Sequence, residues 1–236
     1  ALIMLPKMDQ LGRPQRTLRV SVIDRCNLRC RYCMPNAEYN WLPKSDILSF
    51  EEILRFVEIF VEAGGKKVRI TGGEPLLRRE LSSLIEKLSS IKGLDEIALT
   101  TNGTLLSQYA KDLFQAGLDR LNVSLDTLSR KTFEKISGRN QLDTCLEGIF
   151  AAQDVGFKNT KLDMVVMRDI NNHEINDLLR FSIEHNLNLR FIEYMDVGGA
   201  LNWIANQVVP AKEIISFISN EFGVVTKVNP VDPSAP

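Results

Sequence analysis

Histidine is scarce in this 236-residue chain, which has two, and cysteine is nearly as rare, with four. A mechanism that needs many general acids and bases finds few imidazoles here. A disulfide framework would need more thiols and some other sign of secretion. Charge of either sign is not in excess: 29 basic and 30 acidic side chains leave a net charge of −1, which argues against a broad nucleic-acid or membrane surface. No apolar run approaches the roughly 20 residues that cross a bilayer, and no signal-peptide pattern opens the chain. The first residue is Ala1, which implies a natural start that is missing or processed. What is present is 44% hydrophobic, enough for one large domain, and α/β barrels of this size form single units.

The few cysteines are not scattered. Three fall within Cys26-Asn27-Leu28-Arg29-Cys30-Arg31-Tyr32-Cys33, spaced C-x3-C-x2-C, directly after the alternating stretch Arg19-Val20-Ser21-Val22-Ile23-Asp24. Three thiolates on one loop leave a tetrahedral zinc site one ligand short, so that His173 or His185 would have to serve as a distant fourth. The same three can hold three irons of a four-iron, four-sulfur cluster and leave the fourth open to the amine and carboxylate of a small ligand. A thiol-held cluster fits a reducing compartment, the cytoplasm or an organelle matrix. The fourth cysteine, Cys145, shares a helical segment with Leu142, Leu146 and Ile149 and reads as a small core residue.

Around that loop the chain repeats a strand–helix rhythm. Residues 1–16, with Pro6, Gly12 and Pro14, read as an entry arm. The first strand, 17–24, delivers the cysteine loop, and a polar stretch from Pro35 to Pro43 follows. Ser49 and Glu52 form a capping box for a helix with Ile53, Phe56, Val57 and Phe60 on one face, stopped at Gly64-Gly65. Further strands are expected at 67–71, 95–100, 120–125, 160–166 and 189–194, separated by helices, then a last helix at 210–221 and a short strand at 224–228. The short apolar strands predict a parallel sheet covered on both faces. Six units are too few for a closed eight-stranded barrel, so the fold class is α/β, a partial (β/α)6 TIM-like barrel over residues 17–222 with ligands at the C-terminal ends of its strands.

Five unusual segments share those strand ends: Cys26 to Cys33, Thr71 to Pro75, Thr100 to Gly103, Ser124 to Asp126 and Met195 to Gly199. Each alone is an ordinary turn signal; five on one rim are a site. Gly72-Gly73 let backbone approach a ligand closely, with N–H and C=O groups able to pair with a methionyl amine. The set resembles the radical S-adenosylmethionine (SAM) enzymes. More narrowly, CNLRCRYCMP (26–35), RITGGEPL (69–76), TTNG (100–103), NVSLDT (122–127) and RFIEYM (190–195) resemble the MoaA family of GTP 3′,8-cyclases, over nearly the whole chain from residue 10 to residue 220.

The resemblance implies that Cys26, Cys30 and Cys33 hold the cluster and take part in catalysis. It implies that Tyr32, Gly72, Gly73, Glu74, Ser124 and Met195 line the SAM site, and that Arg19, Arg69, Thr100 and Lys161 contact GTP. Two guanidiniums and an ammonium near strand ends also suit a triphosphate on physical grounds. The reaction implied is a radical lyase step that opens molybdenum-cofactor biosynthesis. It needs an electron donor of unstated identity, no nucleic acid and no membrane, and leaves a homodimer open. The family carries a second four-iron cluster in a C-terminal region. The residues 223–236 would be only the start of that region, so this chain is expected to be truncated or the ordered part of a longer one. A radical SAM enzyme acting on a peptide or small molecule, and a non-catalytic iron–sulfur module, remain the other readings of the residues.

Overall fold

In each strand every second residue is apolar, and that alternation decides what faces what. The computed structural model describes residues 8–34, 36, 38–195 and 203–228. Its strands are β1 (Thr17–Ser21), β2 (Lys67–Thr71), β3 (Glu96–Thr101), β4 (Arg120–Ser124), β5 (Lys161–Val166) and β6 (Asn188–Glu193). They form one parallel sheet in the order β1-β2-β3-β4-β5-β6, without a topological switch point. Sequential order with β1 and β6 left unjoined is the arrangement of an open barrel and not of a doubly wound sheet.

The helices are α1 (Phe50–Glu62), α2 (Leu81–Ser89), α3 (Leu106–Gln115), α4 (Arg130–Ser137), α5 (Leu142–Asp154), α6 (Ile175–Glu184) and α7 (Ala211–Phe222). They cover one face of the sheet. Val68, Ile70, Leu99, Leu121, Val123, Leu162 and Met164 on that face are at most 1% exposed and belong to a single apolar cluster with Ile53, Leu84, Leu113 and Ile149 from the helices. The other face is polar: Arg19 stands beside Arg69, Ala98 beside Arg120, Asn122 beside Lys161 and Asp163 beside Arg190. The expectation of a sheet covered on both faces is therefore corrected. Only the helix-side face is apolar, and the barrel interior is lined by charge.

Two other expectations change. Phe56 does not join the buried stripe of α1; it is 60% exposed beside the free edge of β1, while Ile53 and Val57 are buried. Residues 224–228 form no strand, and Val224 and Val228 stay exposed. The expected capping box is present: Ser49 Oγ accepts from Glu52 N at 3.2 Å, and Glu52 Oε2 accepts from Ser49 N at 2.7 Å. Ser49→Ala removes one side of it and is expected to lower unfolding free energy by about 1 kcal/mol, read as a shift in the urea midpoint without a change in slope. Among the described residues, no helix is long and apolar enough to cross a membrane.

Candidate active site

The cysteine loop leaves β1 and is pinned on two sides by backbone. On one side the strand pairing carries on past the end of β2: Gly73 N donates to Ile23 O at 2.7 Å and Glu74 N to Arg25 O at 2.7 Å. A Cβ on Gly72 would lie 2.6 Å from Ile23 O, and one on Gly73 only 2.2 Å from Arg25 O. The two glycines thus let the turn press against the root of the cysteine loop, and the Gly73 and Glu74 N–H groups are occupied there. On the other side Arg29 N donates to Ser137 O and Arg31 N to Ile136 O, at 2.8 and 2.9 Å, tying the loop to the end of α4.

Side chains extend the same lattice. Glu74 is 1% exposed, and its carboxylate accepts from Thr101 Oγ1 (2.7 Å), Asn102 N (2.8 Å) and Leu76 N (3.0 Å). Burial raises its pKa and these donors pull it back. Glu74 therefore joins the glycine turn to the Thr-Asn-Gly turn. Asn102 in turn donates to Asn27 Oδ1 at 2.8 Å and lies 3.7 Å from Cys26 Sγ. The Arg29 guanidinium donates to Cys26 O and Leu28 O, both at 2.8 Å, and lies over the stacked rings of Tyr39 and Trp41.

The thiols differ. Cys26 and Cys30 are half-buried and Cys33 is exposed. The hydrogen bond between Cys30 and Cys33 raises the pKa of the first and lowers that of the second, which makes Cys33 the readier thiolate; burial raises Cys26. Among the described residues no three His, Cys, Asp or Glu side chains converge as ligands of a single ion would. Neither histidine approaches as a zinc ligand: His185 packs between Phe150 and Phe181, with ring centroids at 5.0 and 4.5 Å, and His173 Nε2 lies 3.6 Å from a Glu174 oxygen. Three thiols on one loop are the donor set of a four-iron, four-sulfur cluster with one iron left open.

Between Cys30 and Cys33, Tyr32 turns inward and its hydroxyl donates to Asp126 Oδ2 at 2.9 Å. Asp126 Oδ1 accepts from Val165 N at 2.8 Å, so this carboxylate links the loop to β5. Burial raises the Asp126 pKa to about 6, against the pull of both donors, and keeps the Tyr32 phenol neutral. Cys30, Tyr32, Ser124 and Asp126 line one small cavity. Met195 lies two residues past the end of β6 and is 57% exposed; the rest of the Met195 to Gly199 segment lies outside the described residues.

Beneath this rim lie the cations. Arg190 grips Asp163 with both ends of its guanidinium, at 2.7 and 2.6 Å, and Arg120 lies 3.3 Å from Glu96. Among the described residues Arg69 has no such paired carboxylate: its Nε is buried without a hydrogen bond, and desolvation together with Arg190 and Arg19 lowers its pKa against the pull of Asp163 and Glu96. Lys161 is lowered likewise, by desolvation and then by Arg120, Arg190 and Arg69. Arg19, Arg69, Thr100 and Lys161 thus share the polar face, with Arg19 paired in register with Arg69. Sequence reasoning missed Arg120, Arg190, Asp163 and the Asp126 link. The first three carried a signal, since each falls on the same two-residue alternation that turns Arg69 and Lys161 inward.

Comparison with known proteins matches the Radical SAM superfamily pattern to residues 20–182. The chain is 47% identical over 236 residues to the GTP 3′,8-cyclase of Acidothermus cellulolyticus, covering 98% of this chain and 63% of that protein. It is 46% identical over 235 residues to GTP 3′,8-cyclase 3 of Mycobacterium tuberculosis, covering 98% and 62%. The chain therefore spans a little under two thirds of the curated relatives it matches. Among solved structures, a histidine-tagged anSMEcpe with bound AdoMet superposes with a TM-score of 0.70 at 21% identity, over 88% of this chain and 57% of that one. Methylornithine synthase superposes at 0.64 and 16%, over 89% and 63%. At such identities the structural likeness establishes the fold alone.

Proposed function

The chain belongs to the radical SAM superfamily, and from that premise we propose that it carries the barrel of a GTP 3′,8-cyclase, which converts GTP to (8S)-3′,8-cyclo-7,8-dihydroguanosine 5′-triphosphate. Cys26, Cys30 and Cys33 would hold a four-iron, four-sulfur cluster, for which the donor set fits: three thiols on one loop fixed from both sides. When bound, the cluster and SAM would supply one electron and a 5′-deoxyadenosyl radical able to take the ribose 3′-hydrogen; bonding of the sugar carbon to C8 of the guanine would leave a purine radical, which a second electron and a proton from outside must quench.

The protein's own part is placement. Glu74, Asn102 and Arg29 hold the cysteine loop; Tyr32, Gly72, Gly73, Ser124 and Met195 bound the space for SAM. Arg19, Arg69, Thr100 and Lys161, together with Arg190, meet the substrate from below. The observation that carries the substrate reading is Arg69, a partly buried guanidinium whose Nε is unpartnered among the described residues, whose like-charged neighbours are only partly offset by Asp163 and Glu96, and which a polyanion would satisfy. The second cluster implied by the resemblance would be ligated outside residues 1–236, since Cys145 is buried and donates to Asn102 O at 3.2 Å. An external electron donor, a cytoplasmic or matrix setting, and the division into arm, barrel and extension at 17 and 222 belong to the same reading.

Anaerobic reconstitution tests it. The chain should bind about four irons and four sulfides, and with dithionite should cleave SAM to 5′-deoxyadenosine. Cys26→Ala, Cys30→Ala and Cys33→Ala should each lose the cluster, while Cys145→Ser should keep it. Iron retained by any of the first three, or zinc without sulfide, would sink the assignment.

A further inference from the structure

Reductive cleavage of SAM requires an electron from outside, and one stretch of surface beside the cysteine loop has the character of a place where it arrives. An open groove of about 810 Å³ runs between the root of that loop and the N-terminal end of α1. Its floor is apolar, with Ile23, Ile47 and Phe50, and Leu42 and Leu77 remain 49% and 37% exposed at its sides. Arg25, Lys44, Arg78 and Arg79 line it, against Glu51 and Glu80, and Glu51 lies 3.9 Å from Lys87. In a chain of net charge −1 this is a local surplus of positive charge. The N-terminus of the 13-residue α1 also opens onto the groove at Ser49–Glu51, its positive end already met by Glu51 and Glu52 in the first turn.

We propose that this groove docks a small acidic electron-transfer protein carrying a low-potential flavin or iron–sulfur centre, and that the electron enters the cluster through the Arg25–Cys26 root of the loop. The inference rests on the radical SAM reading. One electron leaves the donor's centre and one arrives at the chain's cluster, with no proton or group exchanged. The groove is too broad and open to hold a lone small ion. An apolar floor with a charged rim gives the orientation and the salt-sensitive encounter of a transient partner. Arg25 is adjacent in sequence to Cys26, and its carbonyl is fixed by Glu74 N at 2.7 Å, so a donor seated there meets a rigid covalent route to a cluster ligand. Arg78 is already engaged with Leu48 O at 2.9 Å and the Phe50 ring at 5.0 Å, which leaves exposed Lys44 and Arg79 as the charges to reverse.

The test compares two reductants on the reconstituted full chain, reading the bleaching of the cluster's visible absorbance in a stopped-flow cell without SAM. With a photoreduced flavodoxin of strongly negative net charge, Lys44→Glu with Arg79→Glu should slow bleaching by about tenfold or more at low salt. Added salt should slow the unmodified protein towards the same rate. Dithionite, which is small and needs no docking surface, should bleach both proteins alike and support equal SAM cleavage. A flavodoxin rate indifferent to the double substitution and to salt would overturn the docking site, and so would a parallel loss with dithionite. Failure of dithionite to cleave SAM in the unmodified protein would instead overturn the functional reading beneath it.

Discussion

Arg69→Met should weaken GTP and ATP binding alike, by about 2–4 kcal/mol, while making the unliganded chain more stable. The two effects have one cause. Arg69 is held near Arg19, Arg190 and Lys161 with Nε unpartnered among the described residues, and Asp163 and Glu96 offset its partly desolvated charge only in part. A methionine of similar length removes that burden. A triphosphate, however, uses the guanidinium for one or two charge-assisted hydrogen bonds of roughly 1.5–3 kcal/mol each, and loses them in the variant. Calorimetry with both nucleotides, and a thermal melt without either, read the two sides separately. GTP should exceed ATP little, because phosphate recognition carries no base information, and both should weaken with salt. Strong preference of this 236-residue chain for GTP would mean that the barrel itself reads the purine. Lower stability in the variant would mean that Arg69 has a structural partner after all.

How much of this was readable beforehand follows from which interactions are local. The C-x3-C-x2-C spacing, the capping box at Ser49 and the glycine stops are set within a few residues, and each stands in the structure where the sequence predicts it. Strand order also follows, since a regular strand–helix alternation has few ways to build a parallel sheet. The polar inner face was legible only in part. Arg69 and Lys161 look like charges in apolar strands, yet once every second position is compared they join Arg120, Asn122, Asp163 and Arg190 in a lining. The rest depended on contacts across long stretches of chain. Glu74 reads as part of a ligand turn, but its carboxylate is taken up by Thr101 and Asn102, 27 and 28 residues away. Gly73 looks like room for a ligand, but the nearest atom that a side chain would strike is Arg25 O. No periodicity announces such pairings, because they depend on how two turns meet on the rim.

Asp126 supplies the expected dependence on pH in the acid range. Its carboxyl releases a proton near 3.8 in an unfolded chain and at about 6 when folded, chiefly because burial disfavours the charged form. Between those values the folded state holds the extra proton, so stability falls as pH rises through the window and levels off above it. The size is about 3 kcal/mol, at 1.36 kcal/mol for each pKa unit. Glu74, also raised by burial, adds to the fall with the same sign. Asp126→Asn keeps an oxygen to accept from Val165 N, and Tyr32 can rotate its hydroxyl to accept from the new amide. The iron-free variant should therefore lose much of the difference between urea midpoints at pH 4 and pH 7.5, gaining stability mainly at the higher value. An unchanged difference would place the proton elsewhere. Because Tyr32 sits between Cys30 and Cys33 and donates to Asp126, the same carboxyl sets how firmly the cysteine loop is held on β5. Cluster uptake during reconstitution should then be less sensitive to pH in Asp126→Asn than in the unmodified chain.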